Sequence, residues 1–157
     1  MANSHVYKAQ LAWTGAAQGP TSDYRSYARD YVVRMDGKPD LAGTADPLFL
    51  GDASRHNPED LLIAALSACH LLSYLACAAK AGVLVVDYED DAEGTMVFEK
   101  GSGHFVEAVL RPRTIVAKGT NLDLALDLHD QAHHVCFIAA SMNFPVRHEA
   151  VVMEQPD

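Results

Sequence analysis

One stretch limits this chain more than any other. From Asp60 to Lys80 the sequence reads DLLIAALSACHLLSYLACAAK, with no Asp, Glu, Lys or Arg between its two ends. Apolar residues fall nearly all the way round a helical projection of it. Asn57 is a good N-cap, Pro58 fits the first helical position, and Glu59 and Asp60 suit the positive end of a helix dipole. Gly82 supplies the stop, so the helix runs to Lys80 or Ala81. At the usual rise it spans about 35 Å. A helix without a polar face must be covered on several sides. The 157 residues, 49% of them hydrophobic, suit one compact α+β domain over 1–157 but can hardly cover such a helix alone. A partner subunit is therefore expected.

The flanks read as strands. HVYKAQLAW (5–13) and YRSYARDYVVRM (24–35) are rich in β-branched and aromatic residues. Asp36-Gly37 and Lys38-Pro39 end the second with turn chemistry. Residues 40–56, DLAGTADPLFLGDASRH, read as a long loop of the kind that often carries function. After Gly82, residues 84–100, 104–118 and 145–153 suit an antiparallel sheet, with Gly101 and Gly103 in the first turn. A second helix, capped by Thr120 or Asn121, carries Leu122, Leu124, Leu126 and Leu128 and runs to His134. The order β-β-α-β-β-α-β favours α+β over a doubly wound sheet.

Charge removes some function classes. The net charge is −9 and the twelve Lys and Arg residues are scattered, so a nucleic acid partner is not expected. No run reads as long enough to cross a bilayer, and the N-terminal MANSHVYKAQ lacks a hydrophobic signal core. A soluble, cytoplasmic protein with no membrane partner is expected.

Three cysteines in a reducing compartment raise the question of thiol chemistry. Cys69 and Cys77 lie on one helix with Cα atoms roughly 12 Å apart, beyond the reach of about 7 Å that a disulfide allows. Cys77, among Ala and Leu, reads as a small buried hydrophobe. Cys136 ends the second helix in AHHVCFIAAS, where a thiol can be exposed and mobile. A reactive thiol needs its anion favoured against an ordinary pKa of about 8.5. An arginine can do this, and Arg25, Arg29, Arg34 and Arg55 are candidates. Glu59 could orient it. Yet Glu59 lies roughly 15 Å before Cys69 on the helix, so it either serves only the cap or reaches a site built partly by another subunit.

The segment NPEDLLIAALSACH resembles the signature of the OsmC/Ohr family, the osmotically inducible and organic hydroperoxide resistance proteins. Asn57, Pro58 and Glu59, an Ala-rich helix and Cys69 ten residues after the Glu match its pattern, and AHHVC at 132–136 matches its second motif. The resemblance covers about residues 20–153. It implies an intertwined α+β homodimer with antiparallel sheets wrapped around long central helices. It also implies reduction of organic hydroperoxides without a metal or organic cofactor. On that resemblance Cys69 attacks the peroxide, Cys136 resolves the sulfenic acid as a disulfide, and an external dithiol restores both thiols. Arg29 best matches the family's arginine, with Arg25 second. Phe137 stands where many relatives carry Pro after the resolving Cys. The 40–56 insertion and the Cys69-His70 pair resemble an OsmC-like branch more than the hydroperoxide resistance branch.

Other readings are blander. His70, His133, His134 and the cysteines lack a metal-ligand spacing, and adjacent His133 and His134 point to different helix faces. His70 reads as a polar residue lining the subunit interface. Ser67 lies mid-helix without a nucleophile elbow. Tyr24, Tyr27, Tyr31 and Phe49 read as strand packing, and Asp46, Asp52 and the 89–91 acidic run as solvated surface. A non-catalytic dimer that binds an apolar ligand, with Cys69 inert, is the competing function class.

Overall fold

The computed structural model describes residues 4–156 and divides into two compact units, residues 1–61 and 62–157. The outermost ends of the expected single domain, residues 1–3 and 157, lie outside the described residues.

The first unit is a three-stranded antiparallel sheet of β1 (Gln10–Trp13), β2 (Tyr31–Arg34) and β3 (Leu41–Gly43), in that order. Tyr31 sits opposite both Trp13 and Gly43. A Cβ at Gly43 would fall 2.3 Å from the Tyr31 ring, so glycine there lets the ring lie across β3. The strands expected at 5–13 and 24–35 are both cut short. Between them the backbone is captured locally. Asp23 accepts from the Arg25 N–H at 2.8 Å and Ser26 Oγ donates to the Asp23 carbonyl at 3.0 Å. Such side-chain bonds compete with a sheet ladder. The loop at 40–56 likewise holds structure: β3 itself and a short 3-10 turn, Pro47–Phe49, whose first N–H groups are capped by Asp46.

Helix α1 (Pro58–Ala81) begins as expected. Asn57 Oδ1 accepts from the Asp60 N–H at 2.8 Å, and Asp60 Oδ2 accepts from the Asn57 N–H at 3.2 Å. This reciprocal capping box fixes the first turn.

In the second unit the segments read as single strands each break in two. They give β4 (Val85–Asp90), β5 (Glu93–Glu99), β6 (Ser102–Leu110), β7 (Pro112–Val116), β8 (Val146–His148) and β9 (Val151–Glu154), with helix α2 (Leu122–Val135) between β7 and β8. The halves enter different sheets, β4-β7-β9 and β5-β6-β8. Asp90 holds the corner: Oδ1 accepts from the Arg111 N–H at 2.7 Å, and Pro112 has no N–H with which to continue the ladder. The wholly antiparallel sheet is corrected too. β6–β8 and β7–β9 pair in parallel, because the crossover through α2 returns the chain in its original direction. Lys100 and Gly101, both at positive φ, make the tight β5–β6 turn, while Gly103 lies inside β6 opposite Phe98.

Within the second unit α1 buries one stripe, Leu66, His70, Tyr74 and Ala78, at the four-residue spacing of a single helical face. Tyr74 and Ala78 pack with Val83, Val116, Ala125, Leu128 and Ala132, and Leu66 packs with Ala108 and Leu110. Burial of each large member stabilises by about 1.5–3 kcal/mol. The remaining faces of α1 stay largely uncovered by this chain, with Leu72 66% exposed. The expectation that no run could cross a bilayer is overturned: α1 is long and apolar enough by length and composition. Scattered Ser, Cys and His hide that property from a reading that looks for an unbroken apolar run.

Candidate functional site

Cys69 lies on α1 directly before the buried stripe residue His70, and it is itself half-buried. Cys136 caps the C-terminus of α2, its N–H reaching the His133 carbonyl at 3.3 Å. The exposed, mobile thiol expected at Cys136 is a buried one, 1% exposed. The inward face of α2, Ala125, Leu128, His129 and Ala132, continues through it.

The two thiols interact directly. Burial pushes the Cys136 thiol up to about 11, and a hydrogen bond with the Cys69 side chain adds to the rise. Burial and that bond together favour the protonated form of Cys136. Backbone N–H groups of Ala139 and Ile138 act on the Cys136 sulfur in the opposite sense. Both cysteines are free thiols. A half-buried thiol thus meets a buried one across a side-chain hydrogen bond.

Cys77 packs against the core beside Tyr74 and Ala78, as its apolar neighbours led one to expect. Ser67 donates to Asp90 Oδ2 at 2.6 Å and so ties α1 to the β4 corner rather than serving as a nucleophile.

Below the thiols lies a cluster that sequence reasoning largely missed. His70 and His129 are both fully buried, with His70 Nε2 and His129 Nδ1 3.1 Å apart. His129 Nε2 lies 3.2 Å from Thr114 Oγ1. The His129 ring stacks on Tyr74 at 3.8 Å between centroids, and Tyr74 Oη donates to the Ala125 carbonyl at 3.1 Å. His148, on β8, places its ring 5.4 Å from that of His70 and 5.7 Å from that of His133. Burial holds His70 down to about 4 and His129 to about 3, with repulsion between the rings adding to the effect. His129 could have been found, since it shares the spacing of Ala125 and Ala132 on the inward face of α2. His148, on a three-residue strand, gave no such signal. Among the described residues no group of three or more His, Cys, Asp or Glu side chains could hold a metal ion.

In the first unit Arg29 is half-buried, and its guanidinium donates to the carbonyls of Tyr24 and Tyr27. It stacks 4.1 Å over the Tyr27 ring and 5.0 Å from that of Tyr24. Arg25 is exposed, Arg34 pairs with Asp40 at 3.1 Å, and Arg55 reaches Asp30 at 3.5 Å. Tyr27 and Tyr31, expected to be strand packing, instead join Leu11, Trp13, Arg29 and Ala45 in lining a largely apolar cleft of about 360 Å³. Glu59 is half-buried at the start of α1. Burial raises the Tyr31 hydroxyl, and the carboxylates of Glu59 and Asp60 raise it further.

A half-buried thiol on an apolar helix, a buried second thiol against it and a capped Asn-Pro-Glu start make a combination that can be compared with known proteins. The family model described as OsmC-like protein matches residues 51–150. The chain belongs to the OsmC-like family. Its fold is that of solved OsmC-like structures. An OsmC-like protein of unknown function from Vibrio cholerae is 30% identical, with a TM-score of 0.85 over 94% of this chain and 100% of that one. An organic hydroperoxide resistance protein from Elizabethkingia anophelis, crystallised with thiocyanate, is 20% identical, with a TM-score of 0.70 over 99% of this chain and 100% of that one. The organic hydroperoxide resistance protein OhrB of Bacillus subtilis is 19% identical, with a TM-score of 0.64 over 94% and 98% of the two chains. At those identities the last two share the OsmC-like fold alone. No curated protein sequence matches the chain.

Proposed function

We propose that this OsmC-like chain is a thiol peroxidase that reduces organic hydroperoxides through Cys69 and Cys136. The observation that carries the reading is the hydrogen bond between the two thiols, Cys136 buried and Cys69 half-buried. Cys69 thiolate attacks the outer oxygen of ROOH, the O–O bond breaks, and the alkoxide takes a proton to leave as ROH. Cys69 is then a sulfenic acid. Cys136 gives up its proton and attacks the Cys69 sulfur, expelling water and closing the disulfide. An external dithiol exchanges with that disulfide and returns both thiols, so no cofactor is required. The Ala139 and Ile138 N–H groups favour a Cys136 thiolate, which eases its departure during that reduction.

The family resemblance assigns the thiolate-holding cation to Arg29 and its orienting carboxylate to Glu59, in the same or a partner subunit. Half-burial of Arg29, against exposure of Arg25, supports that choice. The uncovered apolar surface of α1 supports a homodimer, since a second copy of the helix would remove Leu72 and Leu75 from water. A cytoplasmic location fits a cycle that must end in reduced thiols.

The test is peroxide consumption with cumene hydroperoxide and dithiothreitol. The native chain should turn over and Cys69→Ser should not. Full activity in Cys69→Ser would overturn the reading, and a native chain that consumes no peroxide would favour a non-catalytic dimer with the Tyr31 cleft as its ligand site.

A further inference from the structure

The histidine cluster has no part in the chemistry above, yet it joins the two helix segments that carry the sulfurs. His70 follows Cys69 on α1, and His133 lies one turn before Cys136 on α2. His148 stands between their rings, and His70 also bonds across to His129 on α2. The hydrogen-bond pattern works only for neutral rings. The Thr114 hydroxyl can either accept from His129 Nε2–H or donate to a bare Nε2, so it suits either neutral tautomer of His129. With His70 Nε2–H as the donor, His129 Nδ1 accepts. That leaves His70 Nδ1 as a buried lone pair without a partner, and His133 Nδ1 is buried without a partner as well. A proton added to His70 would create a buried cationic N–H that nothing accepts, beside a ring at His148 that already lies against Asp130 at 3.1 Å.

We propose that His70 and His133 are positioning residues for the thiol pair: the stack of His129, His70, His148 and His133 sets the spacing of the α1 and α2 segments that carry Cys69 and Cys136, and positive charge on His70, His129 or His133 parts the two sulfurs. Every element around the stack contributes titratable groups to this balance. Tyr74 faces it from α1, and Asp130 and His134 act from α2. Tyr88, with Asp90 raising it, faces it from β4, and His148 from β8. None of these supplies an acceptor to His70 Nδ1. The proposal deepens the thiol reading above, because it concerns closure of the same Cys69–Cys136 pair, but it does not depend on the oxidant being a peroxide.

The test uses one equivalent of 4,4′-dithiodipyridine on the Cys77→Ala chain. Cys69 thiolate attacks the reagent's disulfide and expels one 4-thiopyridone. Cys136 then loses its proton and attacks the mixed disulfide, expelling the second. Two thiols are oxidised and one reagent is reduced to two thiopyridones, so the yield per reagent, read by absorbance, reports closure. The expected yield is about two at pH 7, falling toward about one between about pH 5 and pH 3 as the stack charges, while far-UV circular dichroism stays constant. His133→Gln, which stays neutral at a half-buried site, should extend the yield of two to lower pH. His70→Gln should do the same if it keeps the native dichroism. A yield of two maintained to pH 3 in the native chain, an unchanged profile in His133→Gln, or loss of helix in step with loss of closure would each overturn the proposal. Closure at pH 7 without turnover of cumene hydroperoxide would sink the peroxidase reading and leave this one standing.

Discussion

Cys136 and Cys69 are hydrogen-bonded thiols of unequal burial, Cys136 buried and Cys69 half-buried. Burial and the bond to Cys69 together push the Cys136 thiol up to about 11, while Cys69 keeps the more accessible sulfur. The asymmetry separates the two roles before any oxidant arrives. One sulfur can be reached by a substrate, and the other waits, protonated, at the position from which it can close.

That asymmetry predicts an order of alkylation. A limiting amount of iodoacetamide at pH 7.5 should label Cys69 first, with Cys136 lagging by at least about tenfold, because thiolate population falls about tenfold per pKa unit. Peptide mapping checks this. Equal labelling of the two would show that the proton is not held on Cys136.

Substituting the second thiol should change the fate of the first. Cys136→Ser exposed to a small excess of cumene hydroperoxide should accumulate sulfenic and then sulfinic acid on Cys69, because no partner traps the intermediate. Intact mass should rise by one and then two oxygens. The native chain should show neither gain.

The cation assignment gives a comparison of two arginines. Arg29→Ala should slow alkylation of Cys69 at pH 7 by roughly tenfold, the effect of about 1.4 kcal/mol less stabilisation of the thiolate, whereas Arg25→Ala should leave it unchanged. The reverse result would move the role to Arg25.

Stability should fall as the solution is acidified below neutrality. In the folded chain His70 titrates near 4 and His129 near 3, both below the free value of 6.5. Above about pH 6.5 neither state binds these protons, and stability does not change on their account. Between about pH 6.5 and pH 4 the unfolded chain takes up protons that the folded chain refuses. Each histidine then costs about 1.4 kcal/mol per pH unit at the steepest part. Urea midpoints recorded from pH 7.5 to pH 4.5 should decline in this window, and His129→Gln should flatten the decline. A midpoint that rises on acidification would contradict the burial of neutral rings.

Much of the local structure could be read from the sequence, and its failures have physical causes. The start of α1 was legible because Asn57, Pro58, Glu59 and Asp60 declare it by local chemistry, whereas the reciprocal Asn57–Asp60 bonds emerge only in the structure. The strands at 84–100 and 104–118 were legible as β structure but not as four strands in two sheets. Their breaks at Asp91-Ala92 and Arg111 depend on Asp90 reaching a backbone N–H twenty-one residues away. The family resemblance singled out Cys69 and Cys136, but burial of Cys136 was not legible, since it follows from which face of α2 turns inward. The histidine stack was hidden for the same reason: its members come from α1, α2 and β8, and only tertiary packing gathers them.

The central claim is that Cys69 and Cys136 act on each other. Intact mass spectrometry after one equivalent of cumene hydroperoxide, without reductant, tests it most directly. The account predicts loss of two hydrogens and, after proteolysis, a peptide linking Cys69 to Cys136. A mass gain of one or two oxygens on Cys69 with Cys136 still a free thiol would contradict it.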